Sequence, residues 1–347
     1  MKLDFLIVGQ GLAGSLLAYQ LIQRGYRVMV LDPAQENASR VAAGLINPIT
    51  GMRFVKSHDV DNLLPVAIKH YQQLSLKFQK IFYREKPLYR LLKNSKEQSN
   101  LQKRHDNSAY QAYLGQQLNQ QQLPELIAPL GVIVQQQTGY LDTVALLDSL
   151  KHYFIALKSY QIETVNYQAL QIDRDKINYR QFSAKKIIFC EGYQARYNPY
   201  FDDLPFQSVK GEILTLNSSI PIIDKMLNYG HWFIPLTKNR YRIGATFDRE
   251  NLNTQITEIA KQQLLANLSA IYPNVETQLI KHQANIRPCT LDKQAFIGLH
   301  PEQPTLALFN GFGAKGSLQI PYYAQCFADY LDKQSPLPSL VDIKRLI

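Results

Sequence analysis

The sequence is poor in cysteine and shows none of the spacings that metal sites require. Of its 347 residues only three are cysteines, and they are far apart: Cys190, Cys289 and Cys326. No Cys-x-x-Cys pair occurs, and the seven histidines form neither His-x-His nor His-Glu-x-x-His. We therefore predict no metal site, and we predict that the three thiols are reduced and buried.

Long apolar runs are also missing. No stretch of about eighteen apolar residues is present, which excludes a membrane-spanning helix. The N-terminus has neither the apolar segment nor the small-residue cleavage site of a signal peptide, so the sequence predicts a cytoplasmic protein. With 46% hydrophobic and 19% charged residues the composition is that of an ordinary globular protein, and the length favours two domains.

Acidic residues are outnumbered by basic ones, and the formal net charge is +10. Much of the excess lies between Lys80 and Arg104, where eight lysines and arginines face only Glu85 and Glu97. Such a segment attracts RNA, anionic lipid or acidic substrates over a long range. The other interpretation is the solvated face of a helical insertion, which the lack of a nucleic-acid-binding motif favours.

The first 32 residues have the pattern of a β-α-β unit. Residues 3–8 are almost entirely apolar, as expected for a strand buried on both faces of a parallel sheet. Leucines at helical spacing follow until Gly25, and a second apolar strand, residues 27–31, ends at Asp32. Further along, the pattern predicts helices at 60–83, 143–157, 256–271 and 317–331, polar helices within 94–122, strands at 131–137, 160–166, 185–190, 295–298 and 305–309, and an antiparallel sheet within 209–247.

The turn of the β-α-β unit carries the G-x-G-x-x-G fingerprint, formed by Gly9, Gly11, Leu12, Ala13 and Gly14. The glycines permit a tight turn, close approach of the backbone to a pyrophosphate and close packing of the helix. The first N–H groups of the helix favour phosphate. Asp32, 18 residues after Gly14, can bind a ribose hydroxyl pair. The unit predicts a dinucleotide cofactor without distinguishing FAD from NAD.

Four later parts of the chain resemble one flavoprotein family. The first two are residues 39–44 (SRVAAG) and residues 187–192 (IIFCEG). The third comprises VKGE at 209–212 and the stretch from WFIP at 232–235 to GAT at 244–246. The fourth comprises IRP at 286–288, Asp292, IG at 297–298 and NGFGAKG at 310–316. Together they resemble the D-amino-acid-oxidase-type family, which includes glycine oxidase, sarcosine oxidase and the flavin domain of a tRNA wobble-uridine modification enzyme. Residues 52–139 resemble no part of it.

The resemblance implies an α/β fold with two domains. A Rossmann-type FAD-binding domain with a parallel sheet would comprise residues 1–50, 140–205 and 285–347, and a substrate or cap domain of mixed or antiparallel sheet and helices would comprise 51–139 and 206–284. FAD would be non-covalent, because Asn285 stands where some relatives have the cysteine that attaches flavin. Besides the fingerprint and Asp32, its binding residues would be Ser39, Arg40, Ala42, Ala43, Gly44, Glu191, Gly192, Gly311, Gly313, Ala314, Lys315 and Gly316. In the family, the segment that residues 39–44 resemble passes beside the flavin ring.

The C-terminal glycine loop has a chemical rationale of its own. Reduction leaves negative charge on one edge of a flavin, and a glycine-rich loop that opens a helix offers N–H groups and a positive dipole to that edge. Lys315 would add a full positive charge. The alternative is a tight strand-to-helix connection.

Arg287 is the predicted substrate residue, because in the matching family motif the arginine before proline binds the substrate carboxylate, and a guanidinium fork matches a carboxylate bidentately. A structural ion pair is the alternative. His231, Trp232 and Tyr229 are candidates for the pocket or for ordinary packing.

The predicted reaction is FAD-dependent oxidation of the C–N bond of a primary or secondary amine, an amino acid or N-substituted glycine. Hydride passes from the carbon beside the amine to the flavin, and the resulting imine hydrolyses; the cofactor carries this chemistry. Three alternatives stay open: a flavoenzyme acting on carboxymethylaminomethyl uridine in tRNA, which the basic segment favours; an NAD-dependent dehydrogenase; and a non-catalytic FAD-binding subunit.

Overall fold

The computed structural model describes residues 1–346, which form strands and seven α-helices in mixed order. The helices are α1 (Leu12–Gln23), α2 (Ala38–Val41), α3 (Val60–Phe78), α4 (Ser95–His105), α5 (Thr143–Ala156), α6 (Glu258–Ser269) and α7 (Gly316–Lys333). The strands are β1 (Lys2–Val8), β2 (Val28–Asp32), β3 (Leu45–Ile46), β4 (Ile49–Thr50), β5 (Val55–Lys56), β6 (Tyr83–Glu85), β7 (Leu88–Leu91), β8 (Leu114–Leu118), β9 (Val132–Gln135), β10 (Gly139–Leu141), β11 (Tyr160–Ile162), β12 (Leu170–Ile172), β13 (Ile177–Tyr179), β14 (Phe182–Phe189), β15 (Val209–Asn217), β16 (Met226–Asn228), β17 (Trp232–Pro235), β18 (Arg240–Gly244), β19 (Gln278–Arg287), β20 (Phe296–Leu299) and β21 (Leu306–Asn310).

The first large sheet has a parallel centre. Its order is β11-β2-β1-β14-β13-β12, and β21 pairs with the far half of β14 and with β20. The pairs among β11, β2, β1, β14 and β21 are parallel. All five residues of β2 and six of seven in β1 are buried, because α1 and α5 cover one face and residues outside the strands, among them Tyr167, Ala195 and Phe201, pack on the other. The predicted α/β fold with a Rossmann-type sheet is confirmed.

The second large sheet has the order β19-β15-β18-β17-β16-β7-β9-β8 and is mostly antiparallel. Its two faces have different partners, since side chains alternate along each strand. One face packs Leu214, Phe233 and Tyr241 against Leu264 and Leu268 of α6. The other face is turned toward the segment after α2, and we call it the inner face of the second sheet.

Several predicted elements need correction. Residues 94–122 are not all helical: α4 ends at His105, and the polar segment LGQQL forms the edge strand β8. An edge strand exposes half of its side chains, so its glutamines give no apolar signal. The helix predicted to Tyr83 ends at Phe78, because Gln79 adopts the left-handed conformation with φ of 53°. The predicted strand 160–166 ends at Ile162, and the short strands β12 and β13 were missed.

The basic segment was interpreted as the solvated face of a helical insertion; most of its basic side chains are exposed, but only its last part is helical. It runs from the end of α3 through β6 and β7 into α4, and Arg90 is buried. The Arg90 guanidinium lies 3.2 Å from Glu97, donates to Gly51 O and stacks on the Phe54 ring. Lys86 pairs with Asp224. Part of the local positive charge is therefore used inside the protein.

The domain boundaries stay a prediction. Helix α3, which they assign to the cap domain, packs against α7 in the same core as α1. Of the cysteines, Cys190 is buried, while Cys289 and Cys326 are only partly so, and all three are free thiols. Among residues 1–346 there is no helix both long and apolar enough to cross a membrane, and no group of histidines, cysteines and acids with the geometry of a metal site.

Candidate functional site

The three glycines of the fingerprint are required for different reasons. Gly9 has φ of 104°, and a Cβ there would lie 2.6 Å from Cys190 O. A Cβ on Gly14 would lie 2.0 Å from Gly9 O. A Cβ on Gly11 would meet only the Ser39 hydroxyl, at 3.3 Å. The fold itself therefore excludes side chains at the first and third glycines, whereas the second keeps an open surface at the start of α1.

The start of α1 is prepared for an anion. Leu12 N–H donates to Ser39 Oγ (3.0 Å), and Ser15 N–H donates to Gly11 O. Within residues 1–346 no acceptor takes the N–H of Ala13 or Gly14, and no acidic residue lies in the first turn. Open N–H groups and the positive end of the helix dipole are the features that bind a pyrophosphate.

Asp32 lies beside a pocket at the carboxyl end of β2. Its carboxylate accepts from Gln10 N and from Ala34 N, both at 2.7 Å. The pocket has a volume of about 200 Å³, and its lining is polar: Gln10, Asp32, Ala34, Gln35, Glu36, Arg40 and Lys151. A buried Tyr160 hydroxyl nearby has no hydrogen-bond partner, and burial together with Asp32 raises its pKa to about 12. The pocket therefore offers a carboxylate and several polar side chains to a ribose and adenine.

Arg40, a predicted cofactor residue, lines this pocket and also forms an ion pair with Asp148 of α5. Its charge is thus already balanced. Sequence reasoning missed Lys151 and Tyr160. Neither belongs to a motif: Lys151 reaches the pocket from α5, and Tyr160 comes near Asp32 because β11 pairs with β2.

The end of β14 lies between the two glycine-rich loops. Cys190 O contacts the Gly9 turn, and Asn310 Nδ2 donates to Gly192 O (2.9 Å). The Glu191 side chain points elsewhere: it accepts from Tyr167 (2.7 Å) and Asn198 (2.9 Å). Burial raises the pKa of the Glu191 carboxyl to about 7 in spite of these two donors.

Glu191 is expected to make the stability of the protein depend on pH. Because its folded-state pKa lies above the ordinary 4.5, the folded state holds an extra proton, and the resulting stabilisation is complete below pH 4.5 and lost as pH rises through 7. We expect the wild-type Tm to fall by about 2–4 °C between pH 5 and 8 relative to Glu191→Gln, in thermal unfolding of the apoprotein. Glu85→Gln, at an exposed carboxylate, serves as the control and should follow the wild type. Parallel pH curves for wild type and Glu191→Gln would contradict this assignment.

The predicted flavin-side segment 39–44 is held from two directions. The Arg242 guanidinium, from the inner face of the second sheet, donates to Val41 O (2.6 Å) and Ala42 O (3.0 Å). Gly44 has φ of 69°, and a Cβ there would lie 2.0 Å from Leu141 O. Ala43 packs with Trp232 against the buried group Leu88, Tyr140, Met226 and Ile234. The structure thus joins this segment to the second sheet.

The C-terminal glycine loop packs on the residues that follow Arg287. Gly313 N–H donates to Pro288 O (3.1 Å), and a Cβ on Gly313 would lie 3.2 Å from Cys289 Sγ. A Cβ on Gly311 would lie 2.8 Å from Thr290. Helix α7 begins directly afterwards at Gly316. Ala314 is exposed, and burial lowers the pKa of the part-buried Lys315.

Arg287 ends β19 on the inner face of the second sheet. Its guanidinium lies over Gly211, where a Cβ would come within 2.0 Å of Nη2, and Nη2 makes a long contact of 3.4 Å with Thr246 O. No carboxylate of residues 1–346 pairs with it. Burial lowers the pKa of this guanidinium. A part-buried arginine without a counter-ion, over a glycine that leaves room, is a suitable anchor for an anion.

The aromatic candidates fall on different sides of the second sheet. Trp232 lies on the inner face, paired with Gly244. Tyr229 belongs to the core on the α6 side, and the half-buried His231 has a pKa lowered by burial and by Lys93. Trp232 alone is therefore placed near Arg242 and Gly244.

A family model described as FAD dependent oxidoreductase (DAO) matches residues 4–330. The chain belongs to the DAO family of FAD-dependent oxidoreductases. The resemblance stated from the sequence is confirmed, as are FAD and the oxidoreductase class, and the NAD alternative is excluded.

Curated relatives and solved structures agree with this membership. The bifunctional tRNA 5-methylaminomethyl-2-thiouridine biosynthesis protein MnmC of Legionella pneumophila (strain Corby) is 23% identical over 95% of this chain and 54% of its own length. Glycine oxidase of Geobacillus kaustophilus is 25% identical over 44% of the chain and 42% of its own length. The chain spans about half the length of the MnmC relatives it matches.

The fold also has solved counterparts. The crystal structure of glycine oxidase from Geobacillus kaustophilus has a TM-score of 0.84 at 21% identity, with 96% of both chains covered. Iminodiacetate oxidase from Chelativorans sp. BNC1 has a TM-score of 0.79 at 19% identity, with 97% of both chains covered.

The residues present fit FAD. An open helix start beside Gly11, a polar pocket lined by Asp32, and a glycine loop opening α7 supply what its pyrophosphate, adenosine and ring edge require. When bound, FAD would accept two electrons from the substrate. That it is held without a covalent bond stays a prediction; Asn285, at the position in question, is buried and bonds its own strand through Ile286 N–H.

Proposed function

We propose that the chain oxidises the C–N bond of a primary or secondary amine that bears a carboxylate, an amino acid or an N-substituted glycine. The observation that carries the proposal is the Arg287 guanidinium, part-buried over Gly211 and without a carboxylate partner among residues 1–346. A buried cation without a counter-ion is unfavourable on its own. A bound carboxylate would supply the missing partner through two charge-assisted hydrogen bonds.

The surroundings of Arg287 suit a small substrate. Gly211 and Gly244 have no room for a Cβ: on Gly211 it would meet Arg287, and on Gly244 it would meet Ile213 (2.6 Å) and Trp232 (2.9 Å). The inner face is thus flat at Gly211 and Gly244, and it carries two cations, Arg287 and Arg242. Nearby positive charge disfavours an ammonium ion and so favours the neutral amine, the form that can give up a hydride.

Lys315 is the proposed second charged group of the site. The glycine loop that carries it contacts Pro288 and Cys289, next to Arg287 in the chain. Burial lowers the pKa of the Lys315 ammonium. A negative charge that develops nearby would therefore interact favourably with this poorly solvated ammonium.

The test is an anaerobic substrate screen that follows loss of flavin colour. Matched pairs separate the carboxylate from the amine: glycine against methylamine, and sarcosine against dimethylamine. We expect reduction by the carboxylate member of at least one pair and slow or no reduction by its partner. Equal reduction by both members, or by simple amines alone, would rule out the carboxylate-bearing substrate.

A second candidate is that the carboxylate-bearing amine belongs to an RNA nucleotide. The observation in its favour is a group of exposed basic residues that we call the α4 basic patch: Arg53, Lys93, Lys96 and Lys103. None of them forms an ion pair with residues 1–346. Lys93 contacts Gly230 in the hairpin that leads to Trp232. The relatives named MnmC also support this candidate.

Charge reversal of this patch should decide between the two candidates. If RNA is the partner, Lys93→Glu with Lys96→Glu and Lys103→Glu should lower the salt slope for binding of an unmodified tRNA transcript by about 2–3. Arg104 is left in place, because it donates to Arg53 O and stacks on Tyr110. The control carries Lys238→Glu, Lys333→Glu and Lys344→Glu, three exposed positions elsewhere. Wild-type protein without salt-dependent binding to the transcript would eliminate the RNA candidate.

A further inference from the structure

Arg242 occupies an unusual place for a charged residue. It lies in the middle of β18, where it pairs with Ile234 on one side and Thr215 on the other. Two residues later, Gly244 pairs with Trp232 and Ile213. Since residues two apart share a face of a strand, Arg242 lies on the inner face together with Trp232 and Gly244.

The partners of Arg242 are carbonyl groups only. Its fork donates to Val41 O (2.6 Å) and Ala42 O (3.0 Å), and no carboxylate of residues 1–346 lies within ion-pair distance. Burial lowers its pKa to about 10, with Asp142 opposing the shift, so the group stays charged at neutral pH. A guanidinium has five N–H donors, and the described residues accept two.

This arrangement is costly in the absence of another negative group. A part-buried cation whose charge meets only peptide dipoles lacks the counter-ion that usually stabilises it. A neutral residue would pack at this position without that cost, and Thr215 and Ile234 on the flanking strands are neutral. The segment that Arg242 holds is the one beside which the flavin ring is expected. FAD is an anion, and its ring gains further negative charge on reduction.

We propose that Arg242 is a positioning residue for the flavin: its fork fixes the Val41–Ala42 carbonyls, and its uncompensated charge favours the reduced ring. The fork crosses from the second sheet to the segment after α2, so it sets the separation between the inner face and the flavin-side backbone. The inference depends on FAD, which the family establishes, and not on the proposed substrate.

The experiment uses three purified variants and two measurements that need no substrate. Arg242→Gln removes the charge, Arg242→Lys keeps the charge but loses the fork, and Arg240→Gln is the matched control. Arg240 lies on the same strand and is exposed, and its side chain makes no hydrogen bond within residues 1–346. The first measurement is the FAD dissociation constant of the apoprotein. The second is the equilibrium constant for two-electron reduction against a reference dye.

For Arg242→Gln we expect FAD binding about tenfold weaker and a reduction equilibrium constant about tenfold lower, a shift of about 30 mV for a two-electron couple. Arg242→Lys should restore the reduction equilibrium to within about twofold while FAD binding stays weakened. Arg240→Gln should match the wild type in both measurements.

Two results would overturn the proposal. The first is Arg242→Gln with wild-type FAD affinity and wild-type reduction equilibrium. The second is an equal shift in Arg240→Gln, which would assign the effect to general surface charge. If Arg242→Gln fails to fold by circular dichroism, Arg242→Lys still decides the positioning role, because unchanged FAD affinity in that variant contradicts it. Neither measurement uses a substrate, so both would still test Arg242 if the proposal of a carboxylate-bearing substrate failed.

Discussion

Arg287→Ala is expected to lower kcat/KM for carboxylate-bearing amines by roughly 30- to 1,000-fold, on the order of 2–4 kcal/mol. The reason is the loss of a charge-assisted, bidentate contact in a part-buried site where no carboxylate of residues 1–346 substitutes for the substrate. Arg287→Lys keeps the charge without the fork, so its loss should be intermediate. Steady-state kinetics compare the loss of kcat/KM for glycine with that for methylamine, and the loss for sarcosine with that for dimethylamine.

The contacts of Arg249 and Arg287 define a control variant and the result that would contradict the prediction. Arg249→Ala removes an exposed arginine that stacks on Phe247, and it should leave kcat/KM near that of the wild type. FAD content and Tm should stay unchanged in Arg287→Ala, because the Arg287 side chain makes only one long hydrogen bond within residues 1–346. Equal losses on substrates with and without a carboxylate would mean that Arg287 supports the sheet or the flavin instead.

Gly11→Glu is expected to abolish FAD retention while the apoprotein still folds. Gly11 has ordinary extended backbone angles, φ −72° and ψ −175°, and a Cβ there meets only the Ser39 hydroxyl at 3.3 Å. A side chain is therefore tolerated by the fold, but it projects over the open start of α1 and adds like charge where a pyrophosphate binds. The absorbance ratio at 450 and 280 nm after FAD reconstitution and gel filtration measures the loss.

Two further glycine variants make the interpretation specific. Gly14→Ala should destabilise the apoprotein itself, since its Cβ would lie 2.0 Å from Gly9 O. Gly25→Asn should behave as the wild type, because nothing lies within 4 Å of a Cβ there and asparagine tolerates the φ of 84°. A Gly11→Glu protein that purifies with a full complement of flavin would refute this placement of the cofactor.

The parts of the site that the sequence predicted correctly are local in the chain. The β-α-β unit and its fingerprint lie within 32 residues, and their apolar runs, glycines and terminal aspartate each have a direct backbone cause. The predicted strand at 185–190 and the helix from residue 317 are likewise continuous patterns. The family, FAD and the oxidoreductase class came from motif resemblance, and the family match over residues 4–330 confirms them.

Polar edge elements were predicted poorly. Strand β8 carries two glutamines in five residues, so its alternation is hidden, and only pairing with β9 makes it a strand. Strands β12 and β13 are three residues each, too short for a period to show. The burial of Arg90 within the basic segment was not predicted for a similar reason. Its ion pair with Glu97 depends on where β7 and α4 meet in the folded protein.

The sequence by itself determined the cofactor-binding unit, because a turn, a helix start and a strand end are set by neighbouring residues. Tertiary structure alone decided which charges stay unpaired. Arg242 reaches Val41 and Ala42 across some 200 residues, and the Tyr160 hydroxyl comes near Asp32 through the pairing of β11 with β2. Whether Arg287 has a counter-ion likewise depends on every strand around it. Burial and charge balance are properties of residues that meet only after folding, and no spacing along the chain encodes them.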